Sequence, residues 1–376
     1  MNITVICDVL GEKNNGTTLA TTNLIDYLKK QGHNVTVVCP DEDKKGWDGY
    51  VIVPTLYLGK LAEWILKRNG VKLARAKKSV LTEAIKDADV VHIELPFLLG
   101  CKAVKIAKKL GKPVTASFHC QAENVTAHFL LMNSKLANLC VYKLFYKHLY
   151  RYCDEVHYPT AFIRDVFEGA THKTNSNVIS NGVNEEFFAP REGKRVSDKF
   201  TIVCSGRLSK EKAQFQLIKA VGESKYRDKI KVVFAGDGPF KNKLEKLALK
   251  NGVDADFNFF SREEIIDILH GADLYVHTAT VEIEAIACLE AIVSGLVPVI
   301  CNSPKSATVN FAIDDNNLFK MHDEKDLANK IDFWYEHEDL KREYKLKYAD
   351  MANGFAHALC MDKMEKMIEK AAESGG

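Results

Sequence analysis

Thr278-Ala279-Thr280-Val281-Glu282-Ile283-Glu284-Ala285-Ile286-Ala287-Cys288-Leu289-Glu290-Ala291-Ile292-Val293-Ser294-Gly295-Leu296-Val297-Pro298-Val299-Ile300 is the stretch whose reading decides the fold. An apolar run, Leu274-Tyr275-Val276, precedes it; a polar turn, a helix of small apolar residues, a glycine stop and a second apolar run compose it. That alternation is one unit of a parallel sheet flanked by helices, where ligands sit at the carboxyl ends of strands. Glu282 and Glu290 are eight positions apart, which on one continuous helix would point them about 80° apart. Glu282 is therefore expected in the loop, with the helix starting near Ala285. The first N–H groups of such a helix and its positive dipole end are available to an anion. Glu290 would lie roughly 7 Å further along, from a rise of about 1.5 Å per residue. A carboxylate there suits two vicinal hydroxyls, such as those of a ribose beside a diphosphate. The alternative is a helix whose acids are simply solvated, and the apolar neighbours Leu289, Ala291 and Ile292 speak against it.

Outward from this stretch the same alternation fills the chain. Ile3–Ile6, Val35–Cys39, Val51–Val53, Val90–Ile93, Val114–Phe118 and Val156–Tyr158 are short Val/Ile-rich runs, mostly without polar alternation, the pattern of strands covered on both faces. The pattern breaks between Val178 and Phe200, at the turn Asn181-Gly182-Val183-Asn184 and the polar run Pro190–Arg195, and restarts at Thr201–Cys204. With 376 residues, two domains are expected: 1–180, 181–355, and a helical tail over 356–376. A composition of 46% hydrophobic and 27% charged residues excludes a disordered chain. The start reads as a strand rather than a secretion signal, and no apolar run is long enough to span a bilayer. The ten cysteines show no CxxC pair and no metal spacing; buried thiols in a reducing cytoplasm account for them. Nucleic-acid binding is discounted, because neither zinc spacing nor a basic-aromatic motif is present. The net charge of +2 hides an asymmetry: 24 lysines and arginines face 17 acids in residues 1–180, and 28 face 33 thereafter. A basic first half points to an anionic surface as partner.

Other expected strand ends carry candidate chemistry. The loop Asp8–Thr18 is rich in Gly and Asn, a composition that lets backbone approach a phosphate or sugar, although it is not a G-x-G-x-x-G fingerprint and an ordinary strand-to-helix turn reads the same. Thr115–Phe118 ends in His119, followed by Gln121, Glu123 and Asn124. A lone histidine is more often a satisfied core residue than a catalyst; its place after a buried strand favours the second reading. Ser205-Gly206-Arg207 and Lys212 put a fork and a point charge at one strand end, natural partners of a diphosphate, unless the turn is merely solvated.

Taken with Glu282-x7-Glu290, the segments Gly206-Arg207-Leu208…Glu211-Lys212, Gly236-Asp237-Gly238-Pro239, Gly32-His33-Asn34-Val35 and Asn181–Asn184 followed by Phe187 and Phe188 resemble the retaining family-4 glycosyltransferases over nearly the whole chain. Gln121, Glu123 and Asn124 resemble, more loosely, the subgroup that glycosylates diacylglycerol-type lipids. The resemblance implies an α/β fold of GT-B architecture: two Rossmann-like domains facing across a cleft, with a C-terminal helix crossing back to the first. It implies His119, Glu282, Arg207 and Lys212 as catalytic residues. Gly16, Gly206, Arg207, Lys212, Ser261, Ile283, Glu284, Ala285, Ile286 and Glu290 would bind the donor, and Asn15, Gln121, Glu123 and Asn124 the acceptor. No cofactor and no metal are implied, since two cationic side chains can replace an ion. The sequence departs from the family at Ala213 and Phe260, where glycine is usual, and at Ser303–Thr308, which replaces a commoner acidic loop.

The function implied is retaining transfer of a hexose from a UDP-sugar, UDP-glucose or UDP-galactose, to a hydroxyl of a membrane lipid such as diacylglycerol. The enzyme would be cytoplasmic and peripherally attached to the inner face of the membrane. Open alternatives are a polysaccharide or soluble acceptor, a UDP-sugar epimerase or phosphorylase, or a silent sugar-nucleotide-binding protein. The membrane reading rests on Thr55–Arg68, where Leu58, Leu61 and Trp64 share one helical face flanked by Lys60, Lys67 and Arg68, followed by Lys72, Arg75, Lys77 and Lys78. Tyr142–Arg151 interleaves aromatics and cations similarly. In the competing reading both apolar faces pack on the sheet.

Overall fold

The computed structural model describes residues 1–10, 16–57, 59, 73–75, 77–127, 131–188, 193 and 195–374. The chain forms two units, Met1–Asn181 with Cys360–Gly376, and Gly182–Leu359. The first contains β1 (Asn2–Ile6), α1 (Gly16–Lys30), β2 (Asn34–Cys39), β3 (Tyr50–Ile52), α2 (Lys78–Lys86), β4 (Val90–Ile93), α3 (Leu98–Lys109), β5 (Val114–Ser117), α4 (Ala122–Thr126), α5 (Lys135–His148), β6 (Glu155–Tyr158), α6 (Ala161–Ala170) and β7 (Ser176–Val178). The strands form one parallel sheet in the order β3-β2-β1-β4-β5-β6-β7. Every residue of β4, β5 and β6 is buried, the apolar ones together with the polar His92, Thr115, Ser117, Glu155 and His157. The edge strand β7 has no buried residue, which is why its Ser-Asn-Val carries no strand signal.

The second unit repeats the plan with β8 (Phe200–Ser205), α7 (Phe215–Glu223), β9 (Ile230–Ala235), α8 (Lys241–Asn251), β10 (Ala255–Asn258), α9 (Arg262–Gly271), β11 (Leu274–His277), α10 (Ile286–Val293), β12 (Pro298–Asn302), β13 (Leu318–Lys320), α11 (Glu324–Glu336) and α12 (Glu338–Ala352). Its parallel strands run β10-β9-β8-β11-β12-β13. In both sheets the chain starts in the middle, builds outward to one side and then returns to the other. The reversal lies between β1 and β4 in the first sheet and between β8 and β11 in the second. A crevice opens at the carboxyl ends of the strands where the order reverses, because the flanking helices leave on opposite faces.

The last helix, α13 (His357–Ser374), carries the chain back into the first unit. Cys360, Met361, Met364, Met367, Ile368 and Ala371 recur at helical spacing and are buried with Leu24, Ile25 and Leu28 of α1. Much of the first stretch read for the membrane, residues 58 and 60–72, lies outside the described residues. Thr55 bridges Ala74 in antiparallel fashion. The second stretch splits by face. Tyr142, Phe145 and Tyr150 turn inward, Tyr142 and Tyr150 ringing the buried Phe118, so these three aromatics are core, while Tyr146 is half-buried. What α5 exposes instead is Leu136 and Leu144, with Lys135, Lys143 and Lys147. Among the described residues no helix is long and apolar enough to cross a membrane.

Candidate active site

The second unit assembles its site where β8 and β11 run side by side, Leu274 beside Ile202 and Tyr275 beside Val203. After β8 the chain turns at Gly206, with φ +130°, a conformation other residues avoid. Gly236, at the end of β9, faces it so closely that a Cβ there would stand 2.1 Å from the Gly206 carbonyl oxygen. The loop then curls on itself, the Arg207 carbonyl accepting from Gln214 Nε2 at 2.9 Å. Ala213 takes φ +51°, the left-handed conformation that explains why glycine is usual there; an alanine bears it at a cost of about 1 kcal/mol. The loops after β8 and β11 are stitched together. Thr278 Oγ1 donates to the Lys212 carbonyl at 2.6 Å, and the Thr280 N–H donates to the Glu211 carbonyl at 3.0 Å.

Glu282 lies in the loop, and α10 begins at Ile286 with Ala285 at its cap, uncapped by any side chain. The Lys212 ammonium donates to Glu282 Oε1, and His277 Nε2 stands 3.3 Å from the same oxygen. Burial works against the Glu282 charge, but Lys212 and His277 overcome it and hold the carboxyl down at about 2. Burial likewise opposes charge on Lys212, and Glu282 more than offsets it, raising the ammonium above its ordinary value. Expected as separate contacts, one to the diphosphate and one to the sugar, these two side chains are each other's partner. The backbone of Glu282 is gripped by Ser303–Thr308: its N–H donates to the Lys305 carbonyl at 3.2 Å, and its carbonyl accepts from the Ala307 N–H at 2.9 Å. Ser303 Oγ donates to the Thr280 carbonyl at 2.6 Å. The departure at this loop thus has a structural role.

On α10, Glu290 is half-buried; burial pushes its carboxyl up to about 7, against the pull of Arg262. Ile283 and Glu284 lie in the turn between Glu282 and the helix, the Glu284 carbonyl accepting from the Ile286 N–H at 3.2 Å. Ser261, read as a donor contact, spends its hydroxyl as the cap of α9. It accepts from the Glu264 N–H at 3.3 Å while its own N–H donates to Glu264 Oε2 at 2.7 Å.

In the first unit His119 follows β5, and its Nε2 lies 3.1 Å from Oε2 of Glu94, the residue that follows β4. Gln121 is buried at the cap of α4, and Asn124 is exposed on it. Glu123, expected among the acceptor contacts, turns inward instead and ties α4 to α5, accepting from Asn138 Nδ2 at 3.1 Å and from the Tyr142 hydroxyl at 3.0 Å. A carboxylate between two buried donors is a packing group, which corrects that reading. Gly16 opens α1 and is exposed; Asn15 lies outside the described residues.

Two family models divide the chain between them: Glycosyltransferase Family 4 matches residues 14–187, and Glycosyl transferases group 1 matches residues 185–350. The chain belongs to the family-4 glycosyltransferases. Among curated relatives of this glycosyltransferase are the alpha-monoglucosyldiacylglycerol synthases of Streptococcus pneumoniae and Acholeplasma laidlawii. The first is 25% identical over 88% of this chain and 77% of its own, and the second 26% identical over 76% of each. Among solved structures, the Anabaena protein HepE, solved with UDP, is similar at a TM-score of 0.76 and 15% identity, over 98% of this chain and 100% of its own. The fold is that of the GT-B glycosyltransferases.

Three groups of this glycosyltransferase escaped the sequence reading. Glu94 stood inside the apolar-looking run Ile93–Leu95, and His277 closed a strand taken to end at Val276. The clamp at Ser303–Thr308 had no recognisable motif. A charged residue at the carboxyl end of a buried strand was the signal available for the first two, the same signal that singled out His119.

Proposed function

We propose that the protein is a retaining, metal-independent hexosyltransferase that moves glucose or galactose from its UDP-sugar to a hydroxyl of a membrane lipid of the diacylglycerol type. The observation that carries the donor half is the Lys212–Glu282–His277 group beside Arg207 and the start of α10, at the crevice of the second sheet. Arg207, Lys212 and the first N–H groups of α10 stabilise the charge that grows on the departing diphosphate. Glu282 steadies Lys212 through Oε1, and its other oxygen serves a sugar hydroxyl. Glu290 takes the ribose hydroxyls, and His119 the sugar. The bond from the anomeric carbon to the diphosphate oxygen breaks, and a bond to the acceptor oxygen forms on the same face. A diphosphate oxygen takes the acceptor's proton, so no protein nucleophile is needed.

The lipid half is supported by the names of the two synthases and by the surface of α5. There Leu136, 73% exposed, and Leu144, 53% exposed, both project to solvent, about 80° apart around the helix, and Lys135, Lys143 and Lys147 are exposed with them. Exposed leucines flanked by lysines suit the boundary of an anionic bilayer, each cation adding about 1 kcal/mol, screened by salt. Mass spectrometry of lipid extracts after incubation with a panel of UDP-sugars tests the reaction: one UDP-hexose should yield one glycolipid. Conversion of UDP-glucose to UDP-galactose without any acceptor would mark an epimerase instead. Vesicle sedimentation tests the surface. Binding should rise with anionic lipid fraction, fall with salt, and weaken in Leu136→Asp/Leu144→Asp. Indifference to anionic vesicles at low salt, with equal turnover of a soluble acceptor, would end the lipid reading and leave the transferase intact.

A further inference from the structure

Beneath His119 the first sheet buries a polar cluster that glycosyl transfer does not by itself call for. His92 on β4, Thr115 and Ser117 on β5 and His157 on β6 lie side by side with Glu94, and all five are essentially fully buried. Their hydrogen bonds run in one direction, and the direction follows from chemistry. His157 Nε2 is 2.7 Å from the Ile179 carbonyl, which can only accept, so that nitrogen carries a proton. Burial holds His157 neutral, at about 3, so its Nδ1 is a lone pair and accepts the Ser117 hydroxyl proton at 3.0 Å. The Ser117 oxygen then accepts from His92 Nε2, also at 3.0 Å. Burial keeps His92 neutral too, and its Nδ1 accepts from Thr115 Oγ1 at 2.8 Å. Both rings are thereby locked.

Glu94 is 1% exposed, and neither of its oxygens makes an in-line hydrogen bond among the described residues. His92 Nε2, already committed to Ser117, stands 3.5 Å from Oε1, and His119 Nε2 stands 3.1 Å from Oε2. Burial opposes the Glu94 charge, yet the ring nitrogens that His92 and His119 turn toward it hold its carboxyl below the usual carboxylate range. An ionised carboxylate can only accept, so the His119 nitrogen facing it is the protonated one. A small cavity lined by Glu94, Ser117, His119, His157 and the methionines Met361 and Met364 borders this contact.

We propose that Glu94 is the positioning residue of His119: its carboxylate, 3.1 Å from Nε2, favours the proton on that nitrogen and leaves Nδ1 as a lone pair that accepts a hydrogen bond from a substrate hydroxyl. The locked His92 and His157 serve as the wall that keeps Glu94 buried and aimed. A ring held this way discriminates by chemistry, since Nδ1 favours a hydroxyl donor and rejects an acceptor-only group at that position of the sugar. Orientation of a histidine by a buried carboxylate fixes both tautomer and ring angle. The inference rests on the reading of His119 as a sugar contact, and its test separates the two.

The test uses the full chain with 15N-labelled histidine at pH 8, the His119 signals being assigned from their loss in His119→Gln. The wild-type ring should carry its proton on Nε2 alone; a proton on Nδ1, alone or with Nε2, overturns the proposal whatever any variant does. Glu94→Gln, which keeps the shape without the charge, should lower kcat by about tenfold to a hundredfold with little change in donor KM, and should disturb the His119 tautomer. Glu94→Asp should fall between Gln and the wild type. Wild-type turnover and an unchanged ring state in Glu94→Gln would sink the role of Glu94. Full activity in His119→Gln would sink the reading of His119 itself.

Discussion

Lys212→Ala should lower kcat for glycosyl transfer by about two to three orders of magnitude, the usual loss when one preorganised group facing a developing anion is removed. Stability should fall with it, because the substitution strands Glu282. That carboxyl is held at about 2 in the folded chain against an ordinary value of 4.5. A depressed carboxyl contributes stability that is fully present above the unfolded value and disappears as the pH falls through the folded one. From the shift, the contribution is on the order of 3 kcal/mol at neutral pH. With Lys212 gone, only His277 remains beside a buried carboxylate, and breaking one partner of such a pair costs more than the pair itself is worth. Thermal unfolding should therefore show Lys212→Ala clearly below the wild type at pH 7, with the gap closing between about pH 4.5 and pH 2. Lys212→Ala/Glu282→Gln should regain much of the stability and none of the turnover. A gap that persists unchanged at pH 2, or an undiminished kcat, would contradict the arrangement.

Affinity for an intact UDP-hexose, whose diphosphate has no group titrating near neutrality, should fall as the pH drops below 7. The cause is Glu290, whose carboxyl is pushed up to about 7 by burial. A protonated carboxyl loses the charge-assisted bonds to ribose hydroxyls, so the Kd should rise by up to about a hundredfold between pH 8 and pH 5, following the ionised fraction. Glu290→Gln should bind weakly and with a flat pH dependence in the same calorimetric titration. The stability effect has the opposite sign from that of Glu282. A raised carboxyl costs stability as the pH climbs from the unfolded value to the folded one, on the order of 2 kcal/mol after discounting the part solvent reaches. Glu290→Gln should accordingly unfold at a higher temperature than the wild type at pH 8 and at the same temperature near pH 4. A steep pH dependence surviving in Glu290→Gln would assign the titration to another group.

Much of the candidate site in the second unit was legible because its signals are local. Strands buried on both faces are rich in Val and Ile without regular polar alternation, so β1, β4, β5, β8 and β11 announce themselves, and a parallel sheet places chemistry at their carboxyl ends. Eight positions between Glu282 and Glu290 are enough to separate a loop carboxylate from a helical one, and Gly206 marks a turn by its chemistry alone. The reading weakened wherever a side chain's partner was set by strand order rather than by sequence distance. Glu94 meets His119 because β4 and β5 are neighbours in the sheet, and Lys212 meets Glu282 because β8 lies beside β11 although 70 positions separate the pair. Glu123 turned to Asn138 and Tyr142 because α5 happens to cover α4 with two donors. Tyr142 and Phe145 of α5 turned inward while Leu136 and Leu144 faced out, a choice that helical periodicity could state only as two alternatives. Local propensity and burial pattern thus determine the elements and the kinds of group at their ends. Which of those groups share a proton or a charge is decided only when the sheet orders its strands, because desolvation and Coulomb energy depend on distances that no spacing in the chain encodes.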